Sequence, residues 1–309
     1  MVTIIMAVYN GECYIREQLE SIKQQTYHKW KLIIRDDGST DKTVDIIKAF
    51  QQETEQEVVL YENYPSSGSA KENFFRLLED ADDSYIMFCD QDDIWKEDKI
   101  LHTLSCMKEL EENPAIPVLV HSDLAVIDGR GAVKADSFFE YQNLSKTMEL
   151  PQLLVQNFVT GCTMMINRSL QKYMLEADSH EKIIMHDYWA ALYAAVYGKI
   201  GFLPESTMYY RQHENNSVGA KASNSLVRLW NRLMEGRAQY KASMLESFEQ
   251  VQYFLECSKD KKMDTDNRKL LEGYAALKEK NKWRRLRFYH EKKALKHGRI
   301  RVIMQYLWG

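Results

Sequence analysis

A chain of 309 residues, 45% hydrophobic and 28% charged, is long enough to bury a large core. It is too apolar for a disordered chain, and it lacks the run of about 20 apolar residues that a membrane-spanning helix needs. Its five cysteines, Cys13, Cys89, Cys106, Cys162 and Cys257, are odd in number and form no C-x-x-C pair. This argues against a disulfide framework or a zinc site and fits a reducing cytoplasm. The net charge of −4 is unevenly spread: Lys278 to Arg301 holds 11 Lys/Arg against two acids, a balance of +9, so the rest of the chain carries −13. A basic tail on an acidic body points to an anionic surface.

In chain order, Thr3 to Val8 is apolar, short and without a basic leader, so it reads as a strand rather than a signal peptide. Behind the Asn10-Gly11 turn, Tyr14, Ile15, Leu19 and Ile22 recur at helical spacing. Lys31 to Arg35 is the second strand, and Asp36-Asp-Gly-Ser-Thr-Asp41 supplies turn residues before a helix with Val44, Ile47 and Phe50 on one face. Val58 to Tyr61 is a third strand, and Pro65 to Gly68 is a loop leading to a helix with Ala70, Phe74, Leu77 and Leu78. The strand Tyr85 to Cys89 then ends in Asp90-Gln91-Asp92-Asp93. Acids this close repel unless a cation, hydrogen bonds or open water relieve them. On spacing alone, a divalent metal site and a polar loop capping the next helix are equal readings. Regular strand and helix alternation predicts a parallel α/β sheet, in which ligands bind outside the carboxyl ends of the strands. Tyr9-Asn10, Asp36-Asp37 and Asp90 to Asp92 are then expected on one rim, which favours the metal.

Val8-Tyr-Asn, Asp36-Asp-Gly-Ser-Thr-Asp and Asp90-Gln-Asp-Asp-Ile-Trp, in this order, resemble the nucleotide-sugar half of family 2 inverting glycosyltransferases. The resemblance covers about the first 220 residues and is nearest to the bacterial rhamnosyltransferase branch. It implies an α/β GT-A fold, with a Rossmann-like, mostly parallel sheet flanked by helices, over residues 1–220. Within it, about 1–115 forms the nucleotide-sugar half and about 116–220 the acceptor half, and residues 221–309 form a helical extension. By the same resemblance Ala7 and Tyr9 line the base pocket, the Tyr9 ring stacks on the base, and Asp37 accepts from the base's imide N–H. A carboxylate only accepts, which favours uracil or thymine over cytosine. Lys71 faces the diphosphate, Asp90 and Gln91 meet the donor, and Asp92 supported by Asp90 holds Mn2+ or Mg2+.

Further along, Val118 to Asp123 is a strand with a polar end, and Gly161 to Ile166 resembles the family's acceptor-side strand. In Ile183-Ile-Met-His-Asp-Tyr-Trp189, Asp187 matches the family's catalytic base at the start of a helix, with His186 in place of the more frequent Glu. Without the resemblance Asp187 reads as an N-cap. Tyr209-Tyr-Arg-Gln-His213 follows another strand and resembles a Y-R-x-H segment, in which His213 touches metal or diphosphate. A lone histidine is otherwise a structural hydrogen bonder.

From Ser223 onward the chain is mostly helical, with amphipathic stretches around Leu226 to Leu233 and Met244 to Leu255. Near its end, Ile300, Ile303, Met304 and Leu307 share one helix face, accompanied by Trp283, Tyr306 and Trp308 and the basic cluster. This suits lying on an anionic bilayer, and equally a basic helix docked on the acidic body. No nucleic-acid module accompanies the patch. A calcium loop starting at Asp90 fails, because Trp95 and Leu101 stand where glycine and glutamate are needed. The expected protein is a metal-dependent inverting glycosyltransferase that moves a sugar, rhamnose from dTDP-rhamnose, to a glycan or lipid-linked precursor of a bacterial cell-surface polysaccharide. It is expected in the cytoplasm, peripheral at the inner face of the membrane. The rivals are a transferase using a UDP-hexose or UDP-hexosamine and a catalytically idle nucleotide- or glycan-binding relative.

Overall fold

The apolar runs pair as their alternation predicts. In a computed structural model describing residues 1–62, 65–146, 149–213 and 226–309, the chain opens with β1 (Val2–Val8), α1 (Ile15–Lys23), β2 (Trp30–Asp36), α2 (Thr43–Glu53), β3 (Val58–Tyr61), α3 (Ala70–Asp80) and β4 (Tyr85–Cys89). These four strands lie parallel in the order β3-β2-β1-β4. Val2, Ile4, Ile5 and Met6 of β1 are fully buried, as a central strand covered on both faces requires. The sheet continues through β5 (Ile94–Trp95), α4 (Lys99–Leu110), β6 (Val118–Asp128), β7 (Val133–Ala135) and α5 (Phe138–Tyr141). After α6 (Leu150–Val155) come β8 (Met164–Asn167), α7 (Arg168–Met174), α8 (His186–Tyr197) and β9 (Lys199–Gln212). The full order is β3-β2-β1-β4-β8-β6-β9-β5, with β7 beside β6. β8 is antiparallel to both β4 and β6, and β6 and β9 are parallel, so β4, β6 and β9 end on the same rim where β8 begins.

Three local expectations change. Ile94-Trp95 is a strand, and α4 begins only after its N-cap Asp98, so Asp93 does not cap the following helix. Tyr209 to Gln212 is the end of β9 rather than a segment after it, because its ladder to β6 runs on as far as Asp128↔Gln212. The two amphipathic stretches after Ser223 are one helix, α9 (Leu226–Cys257).

The chain divides into two compact units: Met1–Tyr141, Val159–Asp178 and Met185–Gln212 in one, Gln142–Phe158, Ser179–Ile184 and His213–Gly309 in the other. The second unit holds α6, α9, α10 (Thr265–Ala275), α11 (Lys282–Glu291) and α12 (Arg299–Trp308). Phe248, Val251, Phe254 and Leu271 are buried within it, and the Tyr274 hydroxyl donates to the Leu154 carbonyl at 2.6 Å. α12 packs by one face: Gln305 is buried and donates to the Ala294 carbonyl at 2.8 Å, and the Trp308 ring meets Tyr240 edge-on at 5.9 Å. Its other face exposes Ile300 (69%), Ile303 (57%) and Leu307 (59%). Met304 is half-buried, so the apolar stripe expected from sequence is divided between packing and solvent. No described helix is long and apolar enough to cross a membrane.

One buried titratable group makes the first unit acid-sensitive. His121 on β6 is buried between the rings of Phe202 at 5.0 Å and Phe139 at 5.9 Å, and burial lowers its pKa to about 3. The unfolded chain takes up a proton below pH about 6.5 while the folded chain does not, so stability falls as pH drops through that value. Between pH 6.5 and pH 5 this single group costs about 2 kcal/mol. His121→Phe should remove that increment, measured as the difference in denaturant unfolding free energy between the two pH values; an unchanged difference refutes it.

Candidate active site at the carboxyl ends of the strands

The loops that leave β1, β2 and β4 are knitted together before any ligand is considered. The Asn10 carboxamide oxygen accepts from the Thr40 N–H at 2.8 Å, and the Asn10 N–H donates to the Ser39 hydroxyl at 2.9 Å. The Gly11 N–H donates to the Thr43 hydroxyl at 2.8 Å. Gln91 spans the gap from the acid loop: the Tyr9 N–H donates to its Oε1, and its Nε2 donates to the Tyr9 carbonyl, each at 2.9 Å. A Cβ on Gly11 would stand 2.5 Å from Gln91 Oε1, so glycine there is what lets the amide reach across. Gln91 thus braces Tyr9, whose residue remains 56% exposed. Ala7, two residues earlier on β1, is half-buried.

Asp37 follows β2 and is buried. Its Oδ1 accepts from the Ser67 N–H at 2.5 Å, and its Oδ2 from the Gly68 N–H at 3.0 Å and the Ser66 hydroxyl at 3.2 Å. Lys71 lies half-buried in the first turn of α3, directly after this loop.

The acids of the β4 loop have different surroundings. Asp90 and Asp92 are half-buried, whereas Asp93 is fully buried and accepts from the Arg211 N–H at 3.0 Å. Burial, then the charge of Asp92, then that of Asp187 push the Asp90 carboxyl up to about 7. The β4–β8 register pairs Tyr85 with Asn167 and Met87 with Met165, and its continuation brings Cys162 opposite Asp90. Donor atoms of Asp90, Asp93 and Cys162 lie within 4.8 Å of one another. Burial pushes the Cys162 thiol well up, so it stays protonated and is a poor partner for a hard cation. Asp90 and Asp92 offer the oxygen donors with solvent access that Mg2+ or Mn2+ favours, and the repulsion that raises Asp90 is what such a cation relieves. These residues fit a divalent ion.

Asp187 enters the first turn of α8, whose N-cap is Met185, so Asp187 is not the cap. Its Oδ1 accepts from the Tyr188 N–H at 2.5 Å. The neighbouring His186 is buried, stacks on Phe88 with ring centroids 5.1 Å apart and lies 4.3 Å from the Phe74 ring. Neither ring nitrogen has a hydrogen-bond partner, and burial lowers its pKa to about 3, so His186 is neutral packing. It meets Gly161 so closely that a Cβ there would stand 2.6 Å from Nε2. His213 is half-buried, one residue beyond β9, and begins the last segment of the second unit.

Two buried cations back the acid loop, and the sequence reading assigned a role to neither. Arg211, the penultimate residue of β9, bonds to Asp93 and to the Asp92 carbonyl. Lys99 is buried with Nζ 3.2 Å from the Thr207 hydroxyl and 4.9 Å from the Trp95 ring centroid, and burial lowers its pKa to about 8. Arg211 lies within the Y-R-x-H segment, whereas no local pattern marks Lys99, whose Nζ is met by Thr207 and Met208 of β9.

Gly161→Ala should force the His186 ring away and displace the first turn of α8, costing about 1–3 kcal/mol. In a His186→Ala background the same change should cost far less, a coupling that a double-mutant cycle by thermal melting reads directly. Equal costs in both backgrounds would show that the contact is not tight.

Residues 3–174 match the family described as Glycosyl transferase family 2. The chain is 32% identical over 232 residues to the dTDP-rhamnosyl transferase RfbG of Shigella flexneri, covering 71% of this chain and 75% of that one. In fold it is similar to S. aureus TarS 1–349 in complex with UDP-GlcNAc, at a TM-score of 0.57 and 16% identity over 95% of this chain and 88% of that one. It is also similar to the mannosyltransferase PcManGT from Pyrobaculum calidifontis in complex with GDP-Man and Mn2+, at 0.55 and 18% over 95% and 74%. With its mixed sheet flanked by helices, the fold is that of GT-A enzymes. The chain belongs to glycosyltransferase family 2.

Proposed function

We propose that this chain transfers rhamnose from a dTDP-linked donor to a hydroxyl of a bacterial cell-surface polysaccharide precursor, with inversion at the sugar carbon. The observation that carries this reading is the gathering of carboxylates at the end of β4, where Asp90 and Asp92 lie half-buried and the Asp90 carboxyl is raised by burial and by the charges of Asp92 and of Asp187 in the first turn of α8. One position suits a cation and the other a base. Asp92, supported by Asp90, would hold a divalent ion, which would supply positive charge to the leaving diphosphate. Asp187 accepts the proton of the incoming hydroxyl. The hydroxyl oxygen bonds to the anomeric carbon as that carbon's bond to the diphosphate oxygen breaks, and attack from the opposite face inverts the centre.

Base selection falls to Asp37 and Tyr9. The Ser66 to Gly68 loop supplies two donors to Asp37 Oδ2 and one to Oδ1, which leaves a lone pair on Oδ1 for the imide N–H of thymine or uracil. The exposed Tyr9 ring is a stacking surface beside it. Lys71 supplies a point charge toward the diphosphate. The rhamnose assignment is supported by the similarity to a relative named as a dTDP-rhamnosyl transferase.

The acceptor is lipid-linked, and the second unit meets the membrane that carries it. Supporting this, α12 turns Ile300, Ile303 and Leu307 to solvent, and Lys282 Nζ donates to the Leu307 carbonyl at 2.6 Å, bringing the start of α11, with Trp283 78% exposed, beside the end of α12. Exposed Lys282, Arg284, Lys292, Lys293 and Arg299 accompany this apolar surface.

With a panel of dTDP- and UDP-sugars and Mn2+, nucleotide release should be fastest with dTDP-rhamnose; release from a UDP-hexose alone moves the assignment to that donor class. Asp187→Asn should lower kcat by roughly 100- to 10,000-fold with little change in donor KM. Asp92→Asn should instead raise the metal concentration needed for half-maximal rate, and wild-type turnover in both variants removes the site. For the tail, liposomes rich in phosphatidylserine should float the wild-type chain and lose the Ile300→Glu/Ile303→Glu/Leu307→Glu variant; equal flotation excludes this surface.

A further inference from the structure

The acid loop is fixed by a residue to which sugar transfer gives no chemical task. Arg211 is 3% exposed and is the penultimate residue of β9, the last strand of the first unit. The β5–β9 register pairs Ile94 with Tyr209 and Trp95 with Met208, and its continuation sets Arg211 opposite Asp92. Its main-chain N–H donates to Asp93 Oδ1 at 3.0 Å and its Nε to the Asp92 carbonyl at 2.9 Å. On the other side, Nη2 donates to Glu17 Oε2 at 2.5 Å, and the guanidinium carbon sits 4.8 Å from the centre of the Tyr14 ring. Nη1 reaches the Gly129 carbonyl at 3.5 Å. One side chain therefore ties the acid loop to α1 and to the turn after β6.

We propose that Arg211 is a positioning residue that sets the direction of the Asp90 and Asp92 carboxylates, with Glu17 as its counter-ion. The proposal rests on the reading of these two acids as the cation-holding pair. The Asp92 peptide cannot rotate without breaking the Nε bond, and Asp93 cannot turn outward without leaving the Arg211 N–H. The planar fork of a guanidinium serves a carbonyl and a carboxylate in two directions at once, which the single head of lysine does not. Glu17, 56% exposed at its side chain, balances the buried charge while keeping its own hydration. Partners that orient metal-holding carboxylates commonly change metal affinity by about 10- to 100-fold.

The test is Mn2+ uptake by the full chain in the presence of dTDP or UDP, followed by the electron paramagnetic resonance signal of free Mn2+, with no sugar transfer involved. Arg211→Lys should weaken uptake by about tenfold or more. A lowered melting temperature with unchanged Mn2+ affinity would assign Arg211 to the fold alone and overturn the proposal. Glu17→Gln, at an exposed position, decides the matter if Arg211→Lys does not fold: a loss of Mn2+ affinity supports the proposal and an unchanged affinity overturns it. A wild-type chain that takes up no Mn2+ with either nucleotide removes the cation-site reading, and the role of Arg211 with it; wild-type uptake matched by both variants removes the role of Arg211 alone.

Discussion

Like charge gathered at the end of a buried strand is the constraint around which the first unit is arranged. β4 is covered on both faces, so the chain leaving it emerges at the rim of a low-dielectric core, where carboxylates repel strongly. The fold separates the acids by depth. Asp93 is withdrawn into the core, where the Arg211 N–H meets it, while Asp90 and Asp92 stay half-buried with access to solvent. Asp187 approaches the same place from α8, and its charge is felt at Asp90. The backbone of this rim is held from several sides.

Two glycines and two side chains do much of that holding. Gly11 and Gly161 let Gln91 and His186 come within distances that a Cβ would forbid. Gln91 takes both main-chain groups of Tyr9, in the manner of a strand partner, and makes the β1 and β4 loops one object. His186 is an unusual brace, because it is buried without a hydrogen bond and packs through its ring alone. A neutral ring packed against Phe74 and Phe88 adds no further charge to the crowded rim.

Much of this was legible in the sequence. Period and turn chemistry located β1 to β4 within a residue at each end, and three polar strand ends on one rim followed from the rule for parallel sheets. The acid loop does not cap α4, because Asp98 stands at that position; the intervening Ile94-Trp95 is a strand because β9 is there to pair with it. Tyr209 to Gln212, expected to follow a strand, instead extends β9 in its ladder to β6, a non-local pairing that its polar side chains do not signal.

By itself the sequence determined the order of strands and helices, the family and the residue types at the strand ends, because these depend on local period and on short motifs. Only the tertiary structure decided which acid is buried and which meet solvent, that Gln91 braces Tyr9, and that Arg211 reaches Asp92 and Glu17. Those outcomes depend on pairings between residues as far apart as Glu17 and Arg211, and no local pattern encodes burial created by a distant strand. The same holds for α12: its periodicity showed an apolar face, but the packing of Gln305 and Trp308 decided which part of that face remains in water.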